Sequence, residues 1–331
     1  MMKIVTIWLA AFLVLVISGC KAQPSFVHDP VMIQQNKTYY LFCTGQGISF
    51  FSSKDMKEWK REKPVFSAGP QWAIDEIPGF KGHIWAPDIS FYKGKYRLFY
   101  SVSAFGKNTS CIGLAENITL NPADPGYHWI DKGKIIESVP GRDDWNAIDP
   151  NLILDDEKKP WLCFGSFWSG IKLVKLNDEL SGLAHPEIWV PLASRTRDPN
   201  IPSTEAGTGA IEAPFMLTHK GFYYLFVSFD YCCRGVHSDY KVMVGRSGQI
   251  EGPYADRLGV PMMSGGGSVV VQGDKDYPGV GHNAVCTFNG QDYIIYHAYD
   301  AHDLGKPKLI IRKLNWDADG WPMVDKDLKY N

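Results

Sequence analysis

Residues 147–154 read Ala147-Ile148-Asp149-Pro150-Asn151-Leu152-Ile153-Leu154, a carboxylate set against a proline at the mouth of a strand-like apolar run. A near copy, "VHDPVMI", opens at Val27. Sliding Asp29 onto Asp149 brings Cys43 onto Cys163 and Gly45 onto Gly165. A fixed-period repeat settles a fold before any single element does. Anchored on the aromatic runs "YYLFCTG", "YRLFYSV", "PWLCFGS", "YYLFVSF" and "YIIYHAY", the register of Asp29 recurs at Ala86, Asp149, Ala213 and His282, roughly every 60 residues.

Each unit opens with a short apolar strand and turns through polar residues ("QQNK", "YKGK", "DDEKK", "THKG", "FNGQD"). An aromatic-rich strand follows, and often a third, as in "CIGLAEN" and "KVMVGRS". Alternating strands bounded by Gly, Pro and Asn, without a long helical period, specify an all-β protein. Five such units of about four strands suit a five-bladed β-propeller with a central channel, whereas a β-sandwich leaves the five-fold register unexplained. The register residues of distant units then converge on one axis.

The 331 residues are 45% apolar and carry a formal net charge of -2. That excludes disorder, and with no basic run it gives no footprint for nucleic acid. Lys3 precedes the apolar run "IVTIWLAAFLVLVISGC", too short for an ordinary membrane span and typical of a secretion signal. Its "ISGC" ending resembles a bacterial lipobox. Residues 1–19 are therefore expected to be a lipoprotein signal peptide, Cys20 the lipidated residue, 20–26 a tether and 27–331 one catalytic propeller. An exported monomer anchored at the outer membrane surface or the periplasmic face follows from this reading. Of the other six cysteines most sit in apolar runs, where thiols serve as small hydrophobes, and no disulfide is expected in a domain of this size. Metal binding by Cys232 and Cys233 lacks a second Cys or His pair at zinc spacing.

Four of the five units place a polar group at or beside the register: Asp29, Asp149, Glu212 (one residue before Ala213) and His282. Burying several acids on one axis needs a purpose. Glycoside hydrolysis supplies one, since it sets a protonated carboxyl and an ionised one on either side of the scissile bond. Asp88 in "WAPD" lies two residues past the register and reads as structural; Glu205 and Asp230 are left outside the set.

The motifs "HDP", "WAPDI", "NAIDPNL", "GSFWSGIKL", "AIEAPF", "YYLFVSFDYCCRG", "VMVGRS" and "GHNAV" occur in one order across the five units. In them the chain from about Val27 to Trp316 resembles glycoside hydrolase family 43, and within it the endo-1,5-α-L-arabinanases. The resemblance implies a five-bladed propeller acting with inversion on arabinan. It further implies Asp29 as general base, Glu212 as general acid, and Asp149 as the third carboxylate that raises and positions the acid. His282 matches a histidine that in similar enzymes holds a calcium ion largely through water. Trp85, Phe105 and Trp168 are expected to line the sugar cleft, with Asn146 and Ser166 as hydroxyl contacts. The Cys232-Cys233 pair matches a "CC.G" stretch on a loop near the site.

Two alternatives stay open. Exo-acting α-L-arabinofuranosidases and β-xylosidases share the fold and the triad, although the β-sandwich domain common among the xylosidases finds no room before Asn331. A lipoprotein that binds glycans without cutting them is the reading from another class, and the presence of all three carboxylates speaks against it. The polar, Gly-rich stretch "SRTRDPNIPSTEAGTG" before Glu212 is expected to shape one end of the cleft.

Overall fold

The computed structural model describes residues 24–324; Cys20 and the expected signal run lie outside them. Within them the chain is all-β apart from one short α-helix and three turns of 3-10 helix. Blade 1 comprises β1 (Val31–Gln35), β2 (Thr38–Cys43), β4 (Ser49–Ser53) and β5 (Trp59–Arg61). Between β2 and β4, β3 (Gly45–Gln46) crosses to pair with the first strand of blade 2. The helix α1 (Gln71–Glu76) then leads into β6 (His83–Tyr92), β7 (Lys95–Val102), β8 (Ser110–Asn117) and β9 (Ile130–Ser138). Blade 3 holds β10 (Asn151–Leu154), β11 (Pro160–Phe164), β12 (Ile171–Lys175) and β13 (Trp189–Ala193). Blade 4 holds β14 (Ile211–His219), β15 (Phe222–Phe229), β16 (Lys241–Ser247) and β17 (Ser268–Gln272). β18 (Val280–Phe288), β19 (Gln291–Asp300), β20 (Lys306–Trp316) and β21 (Pro322–Val324) complete blade 5. Every sheet is an antiparallel meander in chain order, as the five-unit register requires.

Local chemistry sets the hairpins. Asn36-Lys37, Lys93-Gly94, Lys220-Gly221 and Asn289-Gly290 join the first two strands of four blades, and both residues of each pair have positive φ. Such turns match the right-handed twist of the strands they connect.

Five apolar clusters lie between neighbouring blades. One joins blades 1 and 2 through Phe42, Phe50, Leu98 and Tyr100, and another joins blades 2 and 3 through Phe99, Leu114, Leu162 and Phe164. Two more fill the third and fourth junctions. The last closes the ring. Among the described residues no strand of blade 5 comes from the N-terminal end, and blades 5 and 1 meet through Val27, Met32, Leu41, Phe288 and Ile295, with a backbone bond from Val27 N–H to the Pro307 carbonyl (3.1 Å). Phe288 packs edge-on against Tyr39 in this seam, ring centroids 5.1 Å apart.

Truncating the seam should therefore loosen the whole ring. Phe288→Ala is expected to cost about 3–5 kcal/mol, read from urea unfolding, while Phe91→Ala at an exposed ring should leave the midpoint nearly unmoved. Equal midpoints for the two variants would show that the seam does not hold the ring closed.

Candidate active site

The five register residues share one backbone conformation. Asp29, Ala86, Asp149, Ala213 and His282 have φ of 53°, 42°, 60°, 54° and 51°. An L-residue in this left-handed region costs roughly 1–2 kcal/mol, so the ring carries strain at every blade. The following Pro30, Pro87, Pro150 and Pro214 explain part of it, because a residue without N–H breaks the ladder. In blades 2, 4 and 5 the pairing shifts register across this position, and in blades 1 and 3 the first strand begins only after the proline. Bulges of this kind re-aim a side chain beside active sites.

Each strained N–H is then capped from the preceding blade. Thr44 Oγ1 accepts from Ala86 N–H (2.9 Å), Ser101 Oγ from Asp149 N–H (3.0 Å) and Ser228 Oγ from His282 N–H (2.9 Å); His297 Nδ1 accepts from Asp29 N–H (3.2 Å). In blade 3 the equivalent place is Gly165, which has no side chain to offer. There Asp149 itself turns across, its Oδ2 accepting from Ala213 N–H (3.0 Å). The missing hydroxyl thus brings the Asp149 carboxylate beside Glu212.

Asp29 is buried, and its carboxylate is nearly saturated with donors. Oδ1 lies 2.8 Å from His28 Nδ1 and 3.0 Å from His282 Nδ1, and Oδ2 accepts from the Thr44 hydroxyl (2.5 Å). A carboxylate offers about four lone-pair positions, so one on Oδ2 is left for the channel. Burial would raise this carboxyl, but His28 and His282 outweigh it and hold it well below the ordinary range. Asp149 is the opposite case. Burial, with the Glu212 and Asp29 carboxylates nearby, pushes it up to about 8 against the attraction of His282. His282 loses some basicity to burial, yet the surrounding acids, Asp29 first, hold it up at about 9. His297 is wholly buried, which with the neighbouring His28 keeps its imidazole neutral; its 3.7 Å approach to Asp29 is a backbone-capping contact and not an ion pair.

Glu212 is the one member of the three that is not buried. Its Oε2 accepts from Ser166 (2.7 Å) and its Oε1 from Tyr240 (2.8 Å). The structure therefore gathers Asp29, Asp149, Glu212, His282 and Ser166 at one place. Of the expected sugar contacts, Phe105 stands 80% exposed on the rim, and Trp85 is half-buried with its indole N–H donating to His83 (3.0 Å). Asn146 and Trp168 are buried. Asn146 accepts from Ser110 (2.6 Å) in the wall of the channel, and Trp168 donates to the Ser203 carbonyl (2.8 Å), pinning the loop before Glu212. Asp88 joins first strands, accepting from Asn151 Nδ2 (3.2 Å) and Leu152 N–H (2.9 Å). Sequence reasoning missed Thr44, Tyr240, His297 and the part played by His28. A hydroxyl or imidazole at a matched place in four second strands was the available signal.

One expectation is overturned: Cys232 and Cys233 are joined in a disulfide. Domain size bears on bridges that tie distant segments and not on a bond between neighbours. Cys43, Cys111 and Cys163 are free and buried, as expected of small hydrophobes. The calcium site expected at His282 finds little protein to hold it. Calcium takes six to eight oxygen ligands, whereas His282 offers nitrogen and its Nδ1 faces Asp29. Among the described residues, the side-chain groups that could hold a metal centre on His28 and do not include His282. A calcium ion there would take one nitrogen from His282 and most of its other ligands from water, as the resemblance implies.

Comparison with known proteins bears out the family resemblance and the propeller fold. Residues 23–322 match the family described as glycosyl hydrolases family 43. The chain belongs to that family. Among curated proteins, this family 43 chain is 50% identical to the extracellular exo-α-(1→5)-L-arabinofuranosidase of Cellvibrio japonicus, over 96% of this chain and 92% of that one. It is 42% identical to the extracellular endo-α-(1→5)-L-arabinanase 1 of Bacillus subtilis, over 91% and 88%. Among solved structures, the Cellvibrio cellulosa α-L-arabinanase complexed with arabinohexaose superposes with a TM-score of 0.90 at 51% identity, covering 92% of this chain and 96% of that one. The family 43 endo-arabinanase from Bacillus licheniformis gives 0.81 at 42%, covering 92% and 99%.

The Asp149 environment has a consequence for stability. The native chain keeps a proton there up to about pH 8, which the unfolded chain, at an ordinary 3.8, has released. Stability from this group is complete below the lower value and is lost as pH rises through the upper one. Tm measured across that window should fall more steeply with pH for the wild type than for Asp149→Asn. Parallel curves would mean that Asp149 is not protonated in the native state.

Proposed function

We propose that this family 43 glycoside hydrolase is an exported enzyme that cleaves internal α-1,5-L-arabinofuranosidic bonds of arabinan with inversion. The observation that carries the reading is three carboxylates gathered on one axis in unlike surroundings: Asp29 buried and held by two imidazoles and a hydroxyl, and Glu212 open to the channel with the buried Asp149 beside it. Sites whose neighbours push two acids apart in this way divide base from acid.

Asp29 is assigned as general base, taking a proton from water through its remaining lone pair while the water oxygen attacks the anomeric carbon. Glu212, the carboxyl that faces the channel, is assigned as general acid and delivers its proton to the departing glycosidic oxygen. Asp149 stands beside it as the proton-bearing partner, and His282, protonated, balances the charge of the cluster. One water is consumed; its hydroxyl ends on the new reducing end, and its proton restores the acid once it returns from Asp29 through solvent. The calcium ion implied by the resemblance would depend on water for nearly all its ligands, and no step uses it.

The exposed ring of Phe105 and the half-buried Trp85 on blade 2 offer apolar faces against which a sugar chain can lie, and the endo-acting relative at 42% identity supports attack within a chain. Attack from a chain end is the second reading, favoured by the 50% identity to an exo-acting relative. Export is supported by the extracellular relatives. Cys20 as a lipid anchor is proposed on the sequence motif alone.

Linear arabinan incubated with the chain lacking residues 1–20 should give a spread of oligosaccharides. Proton NMR taken early in the reaction should show the anomer opposite to that of the bond cleaved. Asp29→Ala and Glu212→Ala should each lose roughly 10²–10⁴-fold in kcat. Arabinose alone from the first time point would move the assignment to chain-end attack, and retention of configuration would end the inverting mechanism.

A further inference from the structure

The Cys232–Cys233 disulfide lies on the blade 4 loop between β15 and β16, yet it is joined by hydrogen bonds to Asp29. Cys233 N–H donates to the Tyr299 hydroxyl oxygen at 2.7 Å, and Tyr299 Oη lies 2.8 Å from His28 Nε2. His28 Nδ1 lies 2.8 Å from Asp29 Oδ1. Tyr299 Oη thus accepts from Cys233 N–H and shares a hydrogen bond with His28 Nε2, while the other ring nitrogen of His28 faces the Asp29 carboxylate. Burial holds the phenol protonated, and the His28 ring is stacked on His297 with centroids 3.9 Å apart. The contacts therefore run from blade 4 through blade 5 to the carboxylate at the head of blade 1, and Cys233 Sγ also lies 3.8 Å from His28 Nε2.

A bond between neighbours does little for global stability, because the entropy a disulfide removes from the unfolded chain grows with the loop it closes. Its effect is local. The two sulfurs fix the torsions on either side of the peptide that joins Cys232 to Cys233, and so fix where the Cys233 N–H points. The rest of the loop is already anchored: Asp230 pairs with Arg195 and Lys241 (2.6 Å each), and Tyr231 N–H donates to Asp239 (2.9 Å). What the disulfide adds is the aim of one donor.

We propose that the Cys232–Cys233 disulfide, acting through Tyr299 and His28, is a positioning device for the Asp29 carboxylate, with Tyr299 and His28 as positioning residues. The proposal rests on the assignment of Asp29 as general base. Loss of the bond leaves the fold and the sugar contacts in place and lets the carboxylate drift from the line of attack.

The test uses the folded wild-type chain lacking residues 1–20, with and without a dithiol reductant. The reductant is oxidised to its own cyclic disulfide and passes two electrons and two protons to the sulfurs, which become two thiols. A displacement of about 1 Å in a reacting group costs on the order of 10²-fold, so a smaller drift should lower kcat about tenfold. KM and Tm should hold, and reoxidation should restore the rate. Tyr299→Phe should also lower kcat, and reducing that variant should add less than it does in the wild type, because both changes act on His28, one through the phenol and one also through the 3.8 Å contact of Cys233 Sγ. Cys232→Ala/Cys233→Ala repeats the measurement without reductant. An unchanged kcat in the reduced enzyme and the double variant would overturn the proposal, as would losses that multiply when Tyr299→Phe is reduced. Asp29→Ala separates the two readings: if it keeps substantial activity the base assignment has failed, and if it is inactive while reduction is harmless only the positioning device has.

Discussion

A left-handed residue at the head of each blade, with its N–H capped by the blade before it, is the constraint on which the molecule turns. Strain at five points would be costly in isolation. Here each cap ties one blade to the next, and the caps from Thr44, Ser101, Ser228 and His297 run round the axis in order. The apolar clusters between blades supply most of the cohesion, but they do not choose a direction for any side chain at the axis. The capped bulges do.

The site is a departure from that rule at one blade. Gly165 removes a hydroxyl and Asp149 takes its place, so a scaffold bond is made by a carboxylate that belongs to the chemistry. The same economy appears at Thr44, which caps Ala86 and donates to Asp29. Structural and chemical roles are thus shared by single atoms. A change at the axis that spares the fold while altering the reaction must keep the cap and replace only the charge.

The five-fold register was legible because aromatic second strands and Asp-Pro or Ala-Pro heads recur at similar intervals, and packing between blades forces that recurrence. Asp29, Asp149, Glu212 and His282 were legible for the same reason, since a register position states where a side chain goes. The burial of Trp168 and Asn146 was not legible, because spacing along a loop does not say how deep a side chain sits. The caps escaped notice for a different reason: one hydroxyl at a strand end has many local explanations until its partner in the next blade is seen. The bond between Cys232 and Cys233 was hidden by an argument about size, which bears on distant pairs and not on adjacent ones.

Among the described residues the seam between blades 5 and 1 carries packing, the Val27 backbone bond and the contacts of His28 and Asp29 with blade 5, where a shared strand could have been. Every sheet is therefore finished by contiguous chain, and a blade has all its strands as soon as its last one has left the ribosome. Assembly of the sheets can proceed in the order of synthesis, and of the early described residues the short stretch 27–29 waits for partners in blade 5. The joint that remains open until the end is a greasy face and not a bare strand edge, which spares the growing ring the edge most prone to wrong pairing.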